Sequence, residues 1–223
     1  MSDLPRALSA VLASRVVLAS ANAGKQREFA ELLGALGIEL ILQSALGIAS
    51  IAETGSTYEA NALLKARHAA DLSGLPALAD DSGLEVDALG GAPGVHSARY
   101  AGEGASEHDN NARLLAQLLS VPQPARTARY RCVLALVRTA DDPAPLLAYG
   151  SWPGSIAPSP RGEGGFGYDP LFIPERPFMA GREPQTAAQM PLALKNRLSH
   201  RAMAMRSLMQ ALQPLPPGPA VGR

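Results

Sequence analysis

Cysteine, aromatic side chains and net charge are all scarce in this chain, and each scarcity removes a class of answer. One cysteine in 223 residues, Cys132, cannot close an internal disulfide. It sits in the apolar run YRCVLALV and reads as a small buried hydrophobe rather than a nucleophile, which fits a reducing, cytoplasmic setting. Aromatics make up 4% of the residues, so Ala and Leu must fill the core of a chain that is 47% hydrophobic. Lys plus Arg number 20 and Asp plus Glu number 20. No global basic field draws in nucleic acid, and any polyanion site has to be a local patch. The apolar stretch 7–21 carries Arg15 and is too short to span a bilayer, and it lacks the series of a cleaved signal. His68, His96, His108 and His200 are scattered, so no zinc spacing is present, and no serine stands in a GxSxG elbow.

What is there alternates between strand and helix. Residues 1–14 read as an N-terminal extension, 15–213 as one domain, and the Pro-rich 214–223 as a disordered tail. RVVLA is a short β-rich run and SANAG a loop. KQREFAELLGALG has helical spacing, with Phe29, Leu32, Leu33 and Leu36 on one face and Gly37 as C-cap. IELIL returns to a strand. A second helix is expected from about Tyr58 to Leu72, with Thr57 as N-cap and Gly74 beyond its end. A third follows Ser106, with Leu114, Leu115, Leu118 and Leu119 on its face. ARYRCVLALVRTA and PLLAYGSW flank Asp141, Asp142 and Pro143 as a long β-hairpin. Residues 153–169 carry too much Gly and Pro for a regular element, and LFIP is a short strand. Thr186 with Gln189 resembles a capping box, and one last helix covers roughly Leu192 to Leu212. The pattern is α/β with a mixed sheet.

Five segments carry chemistry. Ser20, Ala21, Asn22, Ala23, Gly24 and Lys25 join the first strand to the first helix. Free N–H groups, a positive dipole end, small residues and one cation suit a phosphate chain, without a Walker A or GxGxxG pattern. Glu53-Thr54-Gly55 precedes the second helix, which carries Asn61 and Lys65. Spacing alone favours a helix-start acid at Glu53 and surface charges at Lys65 and Arg67. Asp80 and Asp81 follow an apolar stretch and precede Ser82 and Gly83, reading as strand, tight turn, strand with the acids at the turn. Hard oxygens of this kind suit Mg²⁺. In Gly164 to Pro170, Phe166 has the shape to stack on a flat ring and Asp169 the chemistry to accept a ring N–H, around Gly167 and Tyr168. On the residues alone, a Gly-rich turn with a core aromatic explains that segment better. Lys195 and then Ser199-His200-Arg201 lie on the last helix, where His200 and Arg201 point about a quarter-turn or more apart.

Taken in order, SANAGK, ETGSTYEANALLKARHAA, ADDSGLEVDALGGAPGVHSARYAG, SWPG, GGFGYDPLF and LSHRAMA resemble the Ham1/RdgB family, the inosine triphosphate pyrophosphatases or XTP/dITP diphosphatases. The likeness spans about Val16 to Leu212. It implies an elongated α/β fold of the ITPase/Maf-like kind, with a long mixed sheet flanked by helices and a central cleft between two lobes. It also implies a homodimer, a purine nucleoside triphosphate substrate (ITP, dITP or XTP), Mg²⁺ as cofactor, and release of monophosphate and pyrophosphate. On this chain the resemblance makes Ser20–Lys25 the phosphate loop and Asp81 the proton acceptor and a metal ligand. Ser82 becomes a substrate contact, and Phe166, Gly167, Tyr168, Asp169, Lys195, His200 and Arg201 nucleotide-binding positions. Glu53 would be the second metal ligand.

Four positions depart from the family pattern: Ala52 where an acid is usual, Gln189 for Glu, His96 for Tyr, and a longer stretch at 175–185. A Maf-like pyrophosphatase would open with Ser-Pro-Arg-Arg after the first strand, which is missing. Asp81 and Lys25 together argue against a nucleotide-sensing module that binds without hydrolysis.

Overall fold

The structure, a computed structural model of the chain, describes residues 15–34, 38–175 and 184–212. The expected extension 1–14, the tail 214–223, Leu36 with the C-cap Gly37, the side chain of Leu32 and most of the 175–185 stretch lie outside the described residues.

Six strands form one mixed sheet in the order β2-β1-β3-β4-β5-β6. β1 (Arg15–Leu18) runs parallel to both β2 (Glu39–Leu42) and β3 (Ala77–Val86). The sheet then turns antiparallel through β4 (Thr127–Val137), β5 (Leu146–Ile156) and the short β6 (Phe172–Pro174). The β4–β5 hairpin falls where the two apolar runs about Asp142 predict it, with Leu136 opposite Leu146. Among the described residues no helix is long and apolar enough to cross a membrane.

Helices cover both faces of one end of the sheet. α1 (Ala23–Gly34) and a C-terminal helix bury Phe29, Leu33, Ala204, Met205 and Leu208 against Val16, Leu18, Leu78 and Leu134. On the other face α2 (Tyr58–Ser73) lays an alanine stripe, Ala62, Ala66, Ala69 and Ala70, on Val17, Ala77, Ala79 and Val133. Small residues on that stripe let the helix approach the strands closely. Thr57 caps its start by accepting from Ala60 N, and Gly74 ends it at φ 66°. A second lobe forms at the far end. There Leu114 and Leu118, on and just after α3 (Glu107–Gln117), pack with Leu84, Tyr130, Trp152, Tyr168 and Phe172.

Four expectations need correction. Asp80 to Gly83 form no turn: β3 is one continuous strand, because all ten of its residues pair with β4 from Ala77↔Val137 to Val86↔Ala128. A ladder of that length outweighs the local turn preference of Asp-Ser-Gly. The last helix is two helices, α4 (Leu192–Leu198) and α5 (His200–Ala211). Ser199 breaks them at ψ 162°, where its side chain accepts from Ala202 N as an N-cap. β5 runs on to Ile156, into the first residues of the Gly-Pro-rich zone, since Pro153 and Gly154 still pair with β4. Finally, Leu119 is 85% exposed, because the α3 helix ends at Gln117 and the chain turns away.

α5 lies directly on β5 at Gly150. A Cβ there would meet the His200 carbonyl oxygen and come within 2.6 Å of Ala204 N. Gly150→Ala should therefore force α5 outward and destabilise the fold by about 1–3 kcal/mol. A chain of this size loses roughly 2–4 °C of melting temperature per kcal/mol, so a thermal melt reads the effect. An unshifted melt would show that α5 can yield at no cost.

Candidate active site

Alternation along β3 separates the two adjacent acids. Successive strand side chains point to opposite faces. Asp80 shares its face with Leu78 and looks toward α1 and α5; Asp81 shares its face with Ala79 and looks toward α2. The two carboxylates therefore belong to different clusters.

Asp80 joins a buried network of ions. Its Oδ2 accepts from Lys25 Nζ at 2.9 Å, Arg201 Nε at 3.3 Å and Ser82 Oγ at 3.1 Å. Arg201 also donates to Glu28 Oε2 at 2.8 Å and to Ser82 Oγ at 2.8 Å. Lys195 Nζ bridges Glu28 Oε1 at 2.8 Å and Asp169 Oδ2 at 2.6 Å. Burial alone would raise the Asp80 and Glu28 carboxyls. For Asp80 the neighbouring Lys25, Arg201 and Lys65, and for Glu28 Arg201 and Lys195, outweigh it and hold both below their ordinary values. Asp80 is thus locked as an ionised anchor and is no candidate for the proton acceptor.

Asp81 faces a more exchangeable set of partners. Asn61 Nδ2 donates to its Oδ2 at 3.1 Å, and Lys65 Nζ lies 3.2 Å from its Oδ1 and 2.5 Å from Glu53 Oε1. Burial lifts the Asp81 carboxyl above its ordinary value. Lys65 and Lys25 oppose the lift, and the nearby Glu53 adds to it. Lys65 is therefore not the surface charge its spacing suggests; Arg67 is exposed, as expected. Glu53 turns into the cleft while Ala52 is exposed, so the acid that the chain keeps is the one facing Asp81. Two carboxylates converging on one ammonium also suit a single hard cation. Their oxygens fit Mg²⁺, which binds one or two carboxylates and completes its shell with water and phosphate. Among the described residues no third His, Cys, Asp or Glu joins them.

These parts line one cleft of about 500 Å³. Ser20, Ala21, Asn22 and Lys25 form one wall, with Asn22 Oδ1 accepting from Lys25 N at 3.0 Å at the start of α1. Asp81, Ser82, Glu53 and Lys65 form a second. Phe166, Gly167, Tyr168, Asp169, His200 and Arg201 close the far end. His200 is 2% exposed and lies parallel to the Tyr130 ring, with centroids 4.6 Å apart. Both of its ring nitrogens are without a hydrogen-bond partner. Burial, with Arg201 and Lys195 close by, pushes its pKa well below the usual range, so the imidazole is neutral.

Two expected ligand contacts act differently. Lys195 is 2% exposed behind the cleft wall, held between Glu28 and Asp169. Asp169 borders the cleft, but its Oδ2 takes Lys195 and Phe166 N, and its Oδ1 the Tyr130 hydroxyl at 3.3 Å. It is the staple of its own loop. Tyr168 donates across to Ser97 O at 2.8 Å, and Asn111 to Gly167 O at 2.8 Å, tying the same loop to the α3 lobe. Sequence reasoning missed Glu28 and Tyr130. Glu28 shares its helix with the exposed Glu31 and Arg27, and only its seat one turn after Gly24 marks it as inward-facing.

The buried network has a pH signature. Asp80 and Glu28 have folded pKa values below their ordinary 3.8 and 4.5, so their stabilisation is present above those values. It is lost as pH falls through them toward the folded values. Asp81, raised, has the opposite sign and adds nothing to acid lability. Denaturant titrations from about pH 7 to pH 3 should show stability falling below roughly pH 5, with a shallower fall in Asp80→Asn. That variant should also lose about 3–5 kcal/mol at neutral pH, because Arg201 and Lys25 lose a buried partner. An acid limb of equal slope in both proteins would remove Asp80 from the account.

Comparison with known proteins agrees with this geometry. A dITP/XTP pyrophosphatase of Shigella flexneri is 52% identical over 199 residues, covering 89% of this chain and 98% of the relative. One of Erwinia tasmaniensis is 52% identical over 206 residues, covering 92% and 97%. The solved structure of a HAM1 protein from Coxiella burnetii superposes with a TM-score of 0.78 at 45% identity, covering 89% of this chain and 98% of that one. The Staphylococcus aureus Ham1 protein gives a TM-score of 0.74 at 37% identity, covering 89% and 97%. The Ham1 family model matches residues 16–211, which include every cleft residue described above, and the chain belongs to the Ham1 family.

Proposed function

We propose that the chain hydrolyses the aberrant purine nucleoside triphosphates ITP, dITP and XTP to the monophosphate and pyrophosphate, with Mg²⁺ as cofactor. The observation that carries this reading is the meeting of three separately encoded parts around one cleft. They are the open start of α1 with Lys25, the Asp81 cluster, and the Phe166 loop with His200 and Arg201. The relatives named dITP/XTP pyrophosphatase support the same substrate class. By the family resemblance the protein works as a cytoplasmic homodimer, with residues 15–213 as one catalytic unit.

Cleavage between the α and β phosphorus atoms needs the phosphate tail held, a water positioned and its proton accepted. Lys25 and the free N–H groups of α1 hold the tail. Asp81 accepts the proton from the attacking water, and its upward-shifted pKa suits that role. Asn61 and Lys65 fix the carboxylate in place. Glu53 and Asp81 are the residues that would hold Mg²⁺, which supplies positive charge against the phosphate oxygens.

Base choice follows from donors that cannot reverse. Arg201, a cleft-lining residue, uses three of its five N–H groups on Asp80, Glu28 and Ser82, which leaves two for a ligand. A guanidinium facing O6 accepts hypoxanthine and xanthine and opposes the amino group of adenine. A buried donor left unpaired makes such rejection strong. The neutral His200 offers one donor and one acceptor to the rest of the base edge.

Mg²⁺-dependent pyrophosphate release from XTP and ITP, strongly preferred over ATP, is the expected outcome of a product assay. Orthophosphate as first product, or equal turnover of ATP, would defeat the proposal. In the same assay Asp81→Asn should lose roughly two to four orders of magnitude while keeping its fold by circular dichroism. Near-normal turnover there would move the proton acceptor elsewhere.

Glu53→Gln should raise the Mg²⁺ concentration needed for half-maximal rate at saturating ITP. It should disturb apparent ITP affinity much less once Mg²⁺ saturates, since the phosphate contacts lie on other segments. A superimposable Mg²⁺ titration would return Glu53 to a helix-start acid, worth about 0.3–1 kcal/mol of stability.

A further inference from the structure

Gly24 stands in the first turn of α1, and the Phe166 ring occupies the space a side chain there would need. A Cβ at position 24 would fall 2.7 Å from ring carbons Cγ and Cε1, with Cδ1 nearer still. Packed interiors do not tolerate such approach, so the ring would have to shift. The ring is held from several sides. The Phe166 N–H donates to Asp169 Oδ2 at 2.9 Å, and the same oxygen takes Lys195. Lys195 Nζ lies 4.7 Å from the ring centroid and Arg201 Cζ 5.1 Å, both in the range of cation–π attraction. Those two cations bind Glu28, one turn beyond Gly24 and so on the same side of α1. The ring therefore rests on the first turns of the helix that starts at the phosphate loop, while also forming part of the cleft wall.

We infer that Gly24 is a positioning residue for the purine base. Its missing side chain lets Phe166 settle on α1, and the depth of that contact sets how far the base-stacking surface stands from the phosphate-holding residues. The inference rests on the proposed reading of the cleft as a nucleoside triphosphate site. The rival explanation is that Gly24 is small only to admit phosphate to the backbone. The two differ in one respect: a glycine kept for phosphate matters whether or not Phe166 is present, whereas a glycine kept for the ring matters only when the ring is there.

A double-mutant cycle separates them: wild type, Gly24→Ala, Phe166→Ala and the double variant. Each is assayed for pyrophosphate release from XTP, with inorganic tripolyphosphate as a competitive inhibitor that has no base. Gly24→Ala should raise KM for XTP by about tenfold, with a smaller fall in kcat and a tripolyphosphate Ki within about twofold of wild type. In the Phe166→Ala background the same substitution should leave KM within about twofold. Additive KM effects, or a tripolyphosphate Ki that weakens in step with KM, would overturn the inference and give the glycine to the phosphate. A wild type that releases no pyrophosphate from XTP would instead sink the proposed reaction. Melting temperatures of the same four proteins would then decide the contact. A loss caused by Gly24→Ala only where Phe166 is present upholds it, and equal losses, or none, in both backgrounds refute it.

Discussion

Two buried cations, Lys195 and Arg201, and the half-buried Lys25 pair with three buried carboxylates, Glu28, Asp80 and Asp169, and hold the cleft in shape. Burying one of these charges alone would cost several kcal/mol, so none is stable there without the others. The six residues come from α1, β3, the 165–169 loop, α4 and α5. Ion pairing in that volume therefore brings four separate stretches of chain together, α4 and α5 being consecutive. Nothing in the network is free to react, because every charge has an opposite neighbour. The cleft above it inherits fixed positions for Lys25, Arg201, His200 and the Phe166 ring.

Asp81 escapes this locking by one residue. On the opposite face of β3 it meets the buried amide of Asn61 and the ammonium of Lys65, which lines the cleft. The two acids have the same chemistry and adjacent positions, and the strand's alternation sends one into the buried ion network and the other to the Glu53–Lys65 side. Burial without a full complement of charge raises the Asp81 carboxyl, while burial with a full complement lowers that of Asp80. The direction of each shift follows from the neighbouring charges, three cations around Asp80 and two cations opposed by Glu53 around Asp81, and not from depth alone.

Local signals carried much of the fold. Thr57 and Gly74 bound α2, the Ser106 start of α3 closes a capping box with Asp109, and the apolar runs about Asp142 form the hairpin. Each depends on neighbours a few residues apart. The turn expected at Asp80 failed because the decisive partner, β4, lies some fifty residues downstream. The single C-terminal helix failed for a subtler reason. Ser199 can continue a helix or cap one, and here its side chain accepts from Ala202 N as a cap. In the site, the residues of the phosphate loop and Asp81 were legible as types. The inward roles of Lys195 and Asp169 were not, since a buried lysine and a solvated one look alike until Glu28 is found beside it. Glu28 itself has no mark in the sequence beyond its helical phase.

The alternation of β3 also makes the site sensitive to strand slippage. The hydrophobic cores on either face of this strand are built from Leu78 on one side and Ala77 and Ala79 on the other. A slip of one residue would exchange large for small on both faces, which the cores would resist. It would also put Asp81 among the locked charges and turn Asp80 to the cleft. The packing of the leucine and alanine layers is thus coupled to which of the two acids faces α2 and the cleft.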